Sequence, residues 1–371
     1  ESCILRSINS NLKRRIDVNR NFWLMIFPAL FFWVGREISW AGEISASTIT
    51  LRQVLEIAKR NNPEIRAAQK LWDAARERTI QEATPDSPRL DLERMRALRQ
   101  QSVISAAQEK TIAINQEIPF PSKLYLRAGL ASKEAAMLEQ KYLAKTRAVL
   151  ARTRSTYAML YLAYKSIDLF NENIDLMRRF AKVAESKYAA GRASQSDALK
   201  AQVELTKMLN MLVVVDQDKE VASSMLGALL GNIAQTPLGA PVEPVYLGLD
   251  KTLSDFQAMA LQNRPELKEA DFGLERASQN LALARSEFLP DFMIGYRRRR
   301  DLMLGQDTHD AMFGLTLPLW FWKPAAMVAE AKAQKEMAQA ESEAMKLMTI
   351  SDVRVAFVRA QAIHRLLELY R

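Results

Sequence analysis

The distribution of proline and glycine constrains this chain more than any other feature. No proline occurs from Ser122 to Thr236, and Gly191 is the only glycine between Leu130 and Leu226. Both residue types disfavour a helix interior, so the pattern predicts two very long helices that meet at one turn. A helix from Ser122 to Lys187 would be about 100 Å long at a rise of about 1.5 Å per residue. An ordinary domain is smaller, so we expect the chain to bridge a distance.

The composition indicates a structured chain without a disulfide scaffold. Of its 371 residues, 49% are hydrophobic, which argues against disorder. The net charge of +9 is spread in mixed sign along the helical segments, which is typical of solvated helix faces and gives no indication of a nucleic-acid partner. The single cysteine, Cys3, excludes a disulfide framework and a cysteine-rich metal site.

The amino-terminal region, residues 1–46, has the pattern of an export signal. A basic segment precedes an apolar run, Phe22–Val34, and small residues that suit cleavage follow it. The run is shorter than the roughly 20 residues that a membrane-spanning helix needs. A buried core helix is the alternative interpretation. The basic residues are Lys13, Arg14, Arg15 and Arg20, and the small ones are Ser39, Ala41, Ser45 and Ala46.

Two segments of the chain match each other and predict a repeat. The first runs from Thr50 to Asn62-Pro63-Glu64, and the second runs from Ser254 to Arg264-Pro265-Glu266. Gln53 and Gln257 stand three residues after Thr50 and Ser254, which is the spacing of a capping box. Each helix should stop or kink before its proline. We predict a first repeat over residues 47–236, a linker over 237–250 and a second repeat over 251–371.

Alternating apolar residues predict a pair of strands in each repeat. A helix is expected after each proline, over residues 63–83 and 265–289, and a proline-marked break follows it. The strands after the break have about ten residues and one apolar face, which suits a tilted strand that crosses a bilayer. The segment 89–95 is the poorest because charges interrupt it. The apolar faces should carry Ile112, Ile114 and Ile118, then Phe292, Ile294 and Tyr296, then Phe313, Leu315, Leu317 and Leu319.

Each strand pair should end at an apolar-proline step, where a long helix begins. Apolar residues at intervals of three and four in the first long helix predict a packing seam, and a returning helix should pack on it after Gly191. In the second repeat, residues 325–371 contain no glycine or proline, so we expect the chain to be a fragment whose last helix is missing. The seam is Val149, Thr153, Thr156, Leu160, Tyr164, Ile167, Asn171, Ile174, Met177, Ala181, Ala184 and Tyr188. The return would use Leu199, Val203, Leu205, Leu209, Leu212 and Leu230.

This order of elements resembles the TolC-like outer-membrane efflux family. The motifs that carry the resemblance are the two helix ends at Asn62-Pro63-Glu64 and Arg264-Pro265-Glu266, Tyr188-Ala-Ala-Gly191 with Ser196-Asp197-Ala198-Leu199, the strand exit Gln116-Glu-Ile-Pro-Phe-Pro121, and Leu289-Pro290. They cover about residues 48 to 371. The strand exit is most similar to the heavy-metal-type branch of the family.

The resemblance implies a fold and a function. The fold would be mainly α, with long antiparallel helical hairpins that form an α-barrel tunnel and short strand pairs that form part of a trimeric membrane β-barrel. The function would be that of the outer-membrane channel of a tripartite efflux or secretion system, a passive conduit that extends into the periplasm. Its partners would be two further copies, a periplasmic adaptor, an inner-membrane pump and outer-membrane lipid.

The resemblance also implies that the hairpin tip docks the adaptor. The tip residues are Tyr188, Gly191, Arg192, Ala193 and Ser194. Gly191 can adopt the left-handed conformation that ends a helix, and Ser194 can cap the next one. The family usually has an apolar residue after the glycine, where this chain has Arg192. The alternative is a tight turn without a partner.

Three further features have two interpretations each. The block Arg297–Arg300, at a predicted strand end, could contact lipopolysaccharide phosphates or line a charged barrel mouth, but a solvated loop is favoured. Trp320 and Trp322 could form an interfacial girdle or a hydrophobic plug in the helix packing. The sixteen methionines could handle a soft metal, but their scatter favours core filling.

Enzymatic activity has no support in the sequence. His309 lies in a predicted loop and His364 in a long helix, without a His-Glu-x-x-His motif, and no glycine-rich phosphate loop occurs. We therefore expect no catalytic residue, no cofactor and no metal site. The alternative function is a periplasmic coiled-coil adaptor or scaffold without a barrel, and a third possibility is a truncated relic of a conduit.

Overall fold

The computed structural model describes residues 48–96, 108–231, 238–245, 248, 250–301 and 304–370. The export signal that we predict for residues 1–46 lies outside this part. Within the described residues, no helix combines the length and the apolar character that crossing a membrane requires.

The described part consists of long helices and short strands in an order that occurs twice: helix, helix, strand, strand, long helix. The helices are α1 (Leu51–Asn61), α2 (Pro63–Glu82), α3 (Pro121–Ala189), α4 (Gln195–Leu229), α5 (Leu253–Asn263), α6 (Pro265–Ser286) and α7 (Trp322–Leu369). The strands are β1 (Thr48–Ile49), β2 (Arg89–Arg96), β3 (Gln108–Ile118), β4 (Ala240–Pro241), β5 (Asp291–Asp301) and β6 (Asp307–Thr316).

Helix α3 has 69 residues, and the other helices α1, α2, α4 and α6 all pack on it. It begins at Pro121, whose fixed φ and missing N–H suit the first helical position, and it ends beside Gly191, whose φ is +70°. The predicted seam is confirmed over most of its length: Val149 and Leu160 are fully buried and Ile174 is 2% exposed. It fails at Asn171 and at its last residue, Tyr188, which are exposed.

The apolar face that we predict for the returning helix α4 is partly wrong. Leu205 is buried, but Leu199 and Val203 are more than half exposed. Helix α4 instead packs on α3 through Ala201, Leu205, Ala222, Leu226 and Leu229. This face of α4 combines alanine with leucine, and Leu199 and Val203 lie outside it.

Helices α4 and α2 meet end to end beside α3. The side-chain amide of Asn62 donates to the carbonyl of Leu229, the last residue of α4, at 2.9 Å. The side-chain oxygen of Asn62 accepts from the backbone amides of Glu64 (2.9 Å) and Ile65 (3.2 Å) at the start of α2. One buried side chain therefore satisfies orphan groups of two helices, which makes α4 and α2 a nearly continuous column.

In the second copy, helix α5 begins two residues earlier than the sequence predicts. The capping box is formed by Thr252 and Asp255, not by Ser254 and Gln257. The amide of Thr252 donates to the Asp255 carboxylate at 3.0 Å, an interaction that the shorter Asp side chain makes as well as Gln. Helix α6 ends at Ser286 instead of Leu289.

The larger sheet is antiparallel, in the order β2-β3-β5-β6. Strand β2, predicted to be poor, pairs with β3 along its whole length, from Arg89 opposite Asn115 to Arg96 opposite Gln108. Strand β6 begins at Asp307, so His309 lies in a strand and the prediction of a loop is wrong. Leu317 and Leu319 follow the strand instead of belonging to it.

A second, very short sheet was not predicted. Strands β1 and β4 pair in parallel, with Thr48 opposite Ala240. The hydroxyl of Tyr157, a fully buried residue of α3, lies 2.9 Å from the carbonyl of Ile49 and 2.6 Å from that of Val242. Burial raises the pKa of this hydroxyl, so it remains a neutral donor that fixes both segments to α3.

Candidate functional site

The larger sheet has one apolar face that is mostly exposed; only its end near the helices is covered, where Phe292 stacks on Phe120. Its members lie opposite one another across strands; Ile114, for example, pairs with Leu90 and Tyr296. Phe313 is 72% exposed, although a side chain of this size is usually buried. The face consists of Leu90, Leu92, Ile112, Ile114, Phe292, Ile294, Tyr296, Phe313 and Leu315. This alternation confirms the predicted apolar faces of β3 and β5 and that of β6 as far as Leu315; Leu317 and Leu319 lie beyond β6.

The opposite face of the sheet is polar and internally paired. The Arg299 guanidinium lies 3.0 Å from the Asp310 carboxylate, and the side-chain amide of Asn115 donates to Asp91 at 3.0 Å. Gly295 lets the Asn115 side chain lie close to the sheet, because a Cβ at this position would be 2.5 Å from Asn115 Oδ1. A sheet with one apolar and one polar face is the arrangement of a membrane barrel wall.

The block Arg297–Arg300 lies inside β5, so the prediction of a solvated loop is wrong. Successive side chains alternate between the two faces of the sheet. Arg299 lies on the polar face with Asp310, whereas Arg298 lies on the apolar face and reaches Asp307 at 2.7 Å. Both carboxylates lie diagonally across from their arginines on β6, since His309 is opposite Arg298 and Thr308 is opposite Arg299.

A buried lysine joins the sheet to the helices. The ammonium group of Lys123, in the first turn of α3, lies 2.9 Å from the carboxylate of Asp291 and 3.2 Å from that of Glu287. The backbone amide of Phe120 donates to the other Asp291 oxygen at 2.9 Å. The connection from β3 to α3 is therefore fixed to the connection from α6 to β5. Sequence reasoning missed Lys123, because no local pattern distinguishes it from a surface lysine.

Three consecutive aromatic residues lie where β6 leads into α7. Trp320, Phe321 and Trp322 are each about 60% exposed, and the rings of the two tryptophans are 5.2 Å apart. Within the described residues they pack on one another and remain exposed, so they do not plug the helix packing of a single copy. Their place at the helical end of the apolar face agrees with an interfacial aromatic girdle.

The hairpin tip is a tight turn without a buried core. Gly191 has a left-handed φ of +70°, and its amide donates to the carbonyl of Tyr188 at 2.9 Å. Ser194 caps α4: its hydroxyl accepts from the amide of Asp197 at 3.1 Å and donates to that carboxylate at 2.7 Å. These bonds hold the pKa of Asp197 below its ordinary range. The tip residues that we predict therefore lie together, with Ala193 half-buried and the other four exposed.

The surface beside the tip is basic. A shallow groove runs from α3 into the turn, and its charged lining residues are all cations. Tyr188 and Arg192 are both exposed there. The cations are Arg179, Lys182, Lys187 and Arg192. An acidic surface would complement this groove.

An open groove runs between α3, α6 and α7. It holds about 950 Å³ and its lining includes Met137, Met337, Met345 and Met348. Glu269 also lines it, and burial raises the pKa of this carboxyl group. Among the described residues, no three histidine, cysteine or acidic side chains come together in a way that could hold a metal ion.

The chain matches a known protein family. Residues 54–232 and 258–371 match the model of the outer membrane efflux protein family. The chain belongs to this family. It is therefore an outer-membrane efflux channel, the component of a tripartite system that receives substrates from a periplasmic adaptor and an inner-membrane pump. The match covers both copies of the repeated element order, so the alternative of an adaptor without a barrel is set aside.

Solved structures of outer-membrane proteins have the same fold as this efflux channel. A membrane protein from Pseudomonas aeruginosa has a TM-score of 0.71 at 19% identity, covering 86% of this chain and 78% of that one. VceC from Vibrio cholerae has a TM-score of 0.70 at 16% identity, covering 86% and 80%. The outer membrane channel CmeC from Campylobacter jejuni has a TM-score of 0.68 at 18% identity, covering 86% and 75%. No curated protein matches the chain.

Proposed function

We propose that the efflux channel works as a homotrimer whose copies close one membrane barrel and one periplasmic tunnel. The observation that carries this proposal is the open, two-faced sheet. Strands β2 and β6 are unpaired edges of a four-stranded sheet, and an open edge is not tolerated in lipid. The smallest bacterial barrels have about eight strands, so one copy cannot close a barrel. If β2 of one copy pairs with β6 of the next, the backbone N–H and C=O groups of both edge strands find hydrogen-bond partners.

Exposed apolar residues on the helices support the same assembly. Large side chains at intervals of seven along α3, Leu162, Leu169 and Leu176, are each more than half exposed. Leu347 on α7 is 70% exposed. Stripes of this kind on a long helix indicate a packing surface for another helix, and neighbouring copies would supply it.

Membrane fractionation with an unboiled and a boiled gel tests the trimer. The full chain should migrate as a heat-sensitive trimer from the outer-membrane fraction. Phe313→Arg places a charge on the apolar face, which costs up to about 2–4 kcal/mol in lipid, and should abolish the trimer. The matched control Glu93→Arg places the same residue on the polar face of β2 and should retain it. A soluble monomer from the unaltered chain would refute the proposal.

We further propose that the hairpin tip, Tyr188, Gly191, Arg192, Ala193 and Ser194, docks the periplasmic adaptor through an acidic surface of that partner. The exposed turn and the all-cationic groove beside it support this contact. A contact of this kind gains modest affinity and high specificity from complementary charge.

Photo-crosslinking from position 193 tests the docking. A cross-linkable residue in place of Ala193 should form an adduct with the mass of an adaptor. Arg192→Glu should lower the adduct yield about fivefold, as expected for about 1 kcal/mol from one exposed charge pair. Arg66→Glu, an equally exposed site on α2 far from the tip in sequence, is the control and should leave the yield unchanged. Equal yields from both variants would show that Arg192 has no role in docking.

A further inference from the structure

The apolar face of the sheet ends in a row of cations at its distal end. Strands β2 and β5 lead away from the helices, so their last residues and the first residues of β3 and β6 form the end farthest from α3 and α7. There Arg94 pairs with Lys110, and Lys110 pairs with Arg300. Arg298 lies on the same face, one step closer to the helices. We call Arg94, Lys110, Arg298 and Arg300 the distal basic row, and all four are exposed.

The register assigns the distal basic row to the apolar face and not to the polar one. Residues two apart on a strand share a face. Arg298 and Arg300 therefore continue the face of Ile294 and Tyr296, and Lys110 continues that of Ile112 and Ile114. A charged barrel mouth would use the polar face instead, where Arg297 and Arg299 lie. This inference rests on the barrel of the proposed function, in which the apolar face contacts lipid and the distal end lies in the outer leaflet.

The described part of the protein neutralises the charge of this row only in part, because four cations share one carboxylate, Asp307, which lies opposite Arg300 and pairs with Arg298. Neighbouring strands are about 4.8 Å apart, so the three aligned cations on β2, β3 and β5 extend over roughly 10 Å. Like charges directly opposite each other destabilise a sheet. The one carboxylate on this face at that level, Asp307, is engaged by Arg298 at 2.7 Å. Among the described residues, no salt bridge reaches Arg94, Lys110 or Arg300. The polar face differs, because Arg299 there is paired with Asp310.

Anionic groups attached to acyl chains fit this surface. The band of Ile, Phe and Tyr side chains below the row matches acyl chains, and a cationic edge above it matches negative headgroups. Arginine presents a planar fork of donors that suits phosphate oxygens. We propose that the distal basic row binds the phosphate groups of phosphorylated glycolipid in the outer leaflet, so that each copy of the channel carries its own lipid clamp.

Native mass spectrometry of the detergent-solubilised full chain tests this proposal. The ligands are bisphosphorylated lipid A, its dephosphorylated form and inorganic phosphate as the free anion. The test variant is Lys110→Gln with Arg300→Gln. The matched control is Arg89→Gln with Arg297→Gln, which removes two charges from the polar face of β2 and β5. The unaltered protein should retain bisphosphorylated lipid A in preference to the dephosphorylated form, and millimolar inorganic phosphate should not displace it.

Each cation near an anionic lipid surface contributes about fivefold to binding, so the test variant should bind lipid A about 25-fold more weakly. The control variant should bind it as the unaltered protein does. Retention by the test variant, equal loss in the control, or displacement by inorganic phosphate would each overturn the proposal. A chain that never forms the heat-sensitive trimer would overturn the barrel as well. A trimer that retains lipid A despite Lys110→Gln and Arg300→Gln would overturn the lipid clamp alone.

Discussion

Asn62 and Leu229, which are far apart in sequence, are joined by a buried hydrogen bond of 2.9 Å from the side-chain amide to the backbone carbonyl. Asn62 is 2% exposed, so water cannot replace its three hydrogen bonds. The contact turns the end of α4 and the start of α2 into one column beside α3. Two helices that are each shorter than α3 therefore lie beside it as one column.

Substitution of Asn62 should separate its two roles. Asn62→Ala removes the cap of α2 and leaves the Leu229 carbonyl unsatisfied, which we expect to cost about 2–3 kcal/mol of unfolding free energy. Asn62→Asp keeps the acceptor for Glu64 and Ile65 but loses the donor to Leu229. We expect it to lower the free energy of unfolding by at least about half as much as Asn62→Ala does. Urea unfolding followed by circular dichroism measures both. Ser194→Ala, which removes an exposed cap only, should cost about 1 kcal/mol; equal losses for Ala at 62 and 194 would contradict the column.

Gly231 and Gly191 share a φ of +70° but differ in their surroundings, which gives a matched pair. A Cβ at Gly231 would lie 2.7 Å from the backbone oxygen of Asn61, whereas a Cβ at Gly191 meets nothing within 4 Å. Gly191→Ala should therefore cost only the left-handed strain, about 1 kcal/mol. Gly231→Ala should cost about 1–3 kcal/mol more, because the helix column must shift. Differential scanning calorimetry in detergent measures the difference. Equal losses for the two variants would show that the backbone around Gly231 and Asn61 can move apart at no cost.

Removal of the Lys123 side chain should weaken the connection between sheet and helices. Lys123→Ala leaves the carboxylates of Asp291 and Glu287 without their shared cation, and we expect a loss of about 2 kcal/mol. Lys123→Met keeps a side chain of similar volume and removes only the positive charge, so it separates the effect of charge from that of packing. Lys332→Ala, which breaks an exposed pair with Glu336 at 3.9 Å, is the control and should stay within about 0.5 kcal/mol. The thermal midpoint of trimer dissociation on unboiled gels gives the comparison, and similar midpoints for both Ala variants would refute the role of Lys123.

Glu64 makes the α2–α3 contact sensitive to acid. The hydrogen bond from Lys145 at 3.1 Å and the charge of Arg152 at 3.3 Å hold the pKa of Glu64 below its ordinary value. A depressed carboxyl pKa stabilises the fold above the unfolded-state pKa, and this stability is lost as the pH falls through the folded-state pKa. The side chain is 41% exposed, so the contribution is about 0.5 kcal/mol after screening.

Unfolding free energies at pH 7 and pH 3 measure this contribution. Glu64→Gln should lower stability at pH 7 and have little effect at pH 3. Glu56→Gln, which affects an exposed pair with Arg52 on one helix, is the control. A loss from Glu64→Gln that is equally large at both pH values would mean that Glu64 acts through packing instead of charge.

The long helices, the turn between them and the two faces of the strands can be predicted from the sequence alone. These features depend on local rules. From Leu130 to Ala190 neither proline nor glycine interrupts the chain, which favours one long helix, and alternation within β3 and β5 fixes which side chains share a face. The family resemblance followed from the order of the same local signals.

Which residues these helices and strands contact depends on the tertiary structure and does not follow from local sequence. Leu199 and Val203 have the spacing of a seam, yet α4 packs on α3 through another face, because the rotation of α4 about its axis depends on all its contacts with α3. Lys123 and Tyr157 have no local signature, since their partners lie in other elements of the fold. The sequence alone does not show that Arg297–Arg300 form part of a strand. They do so because β5 pairs with β6, whose carboxylates bind two of the four arginines.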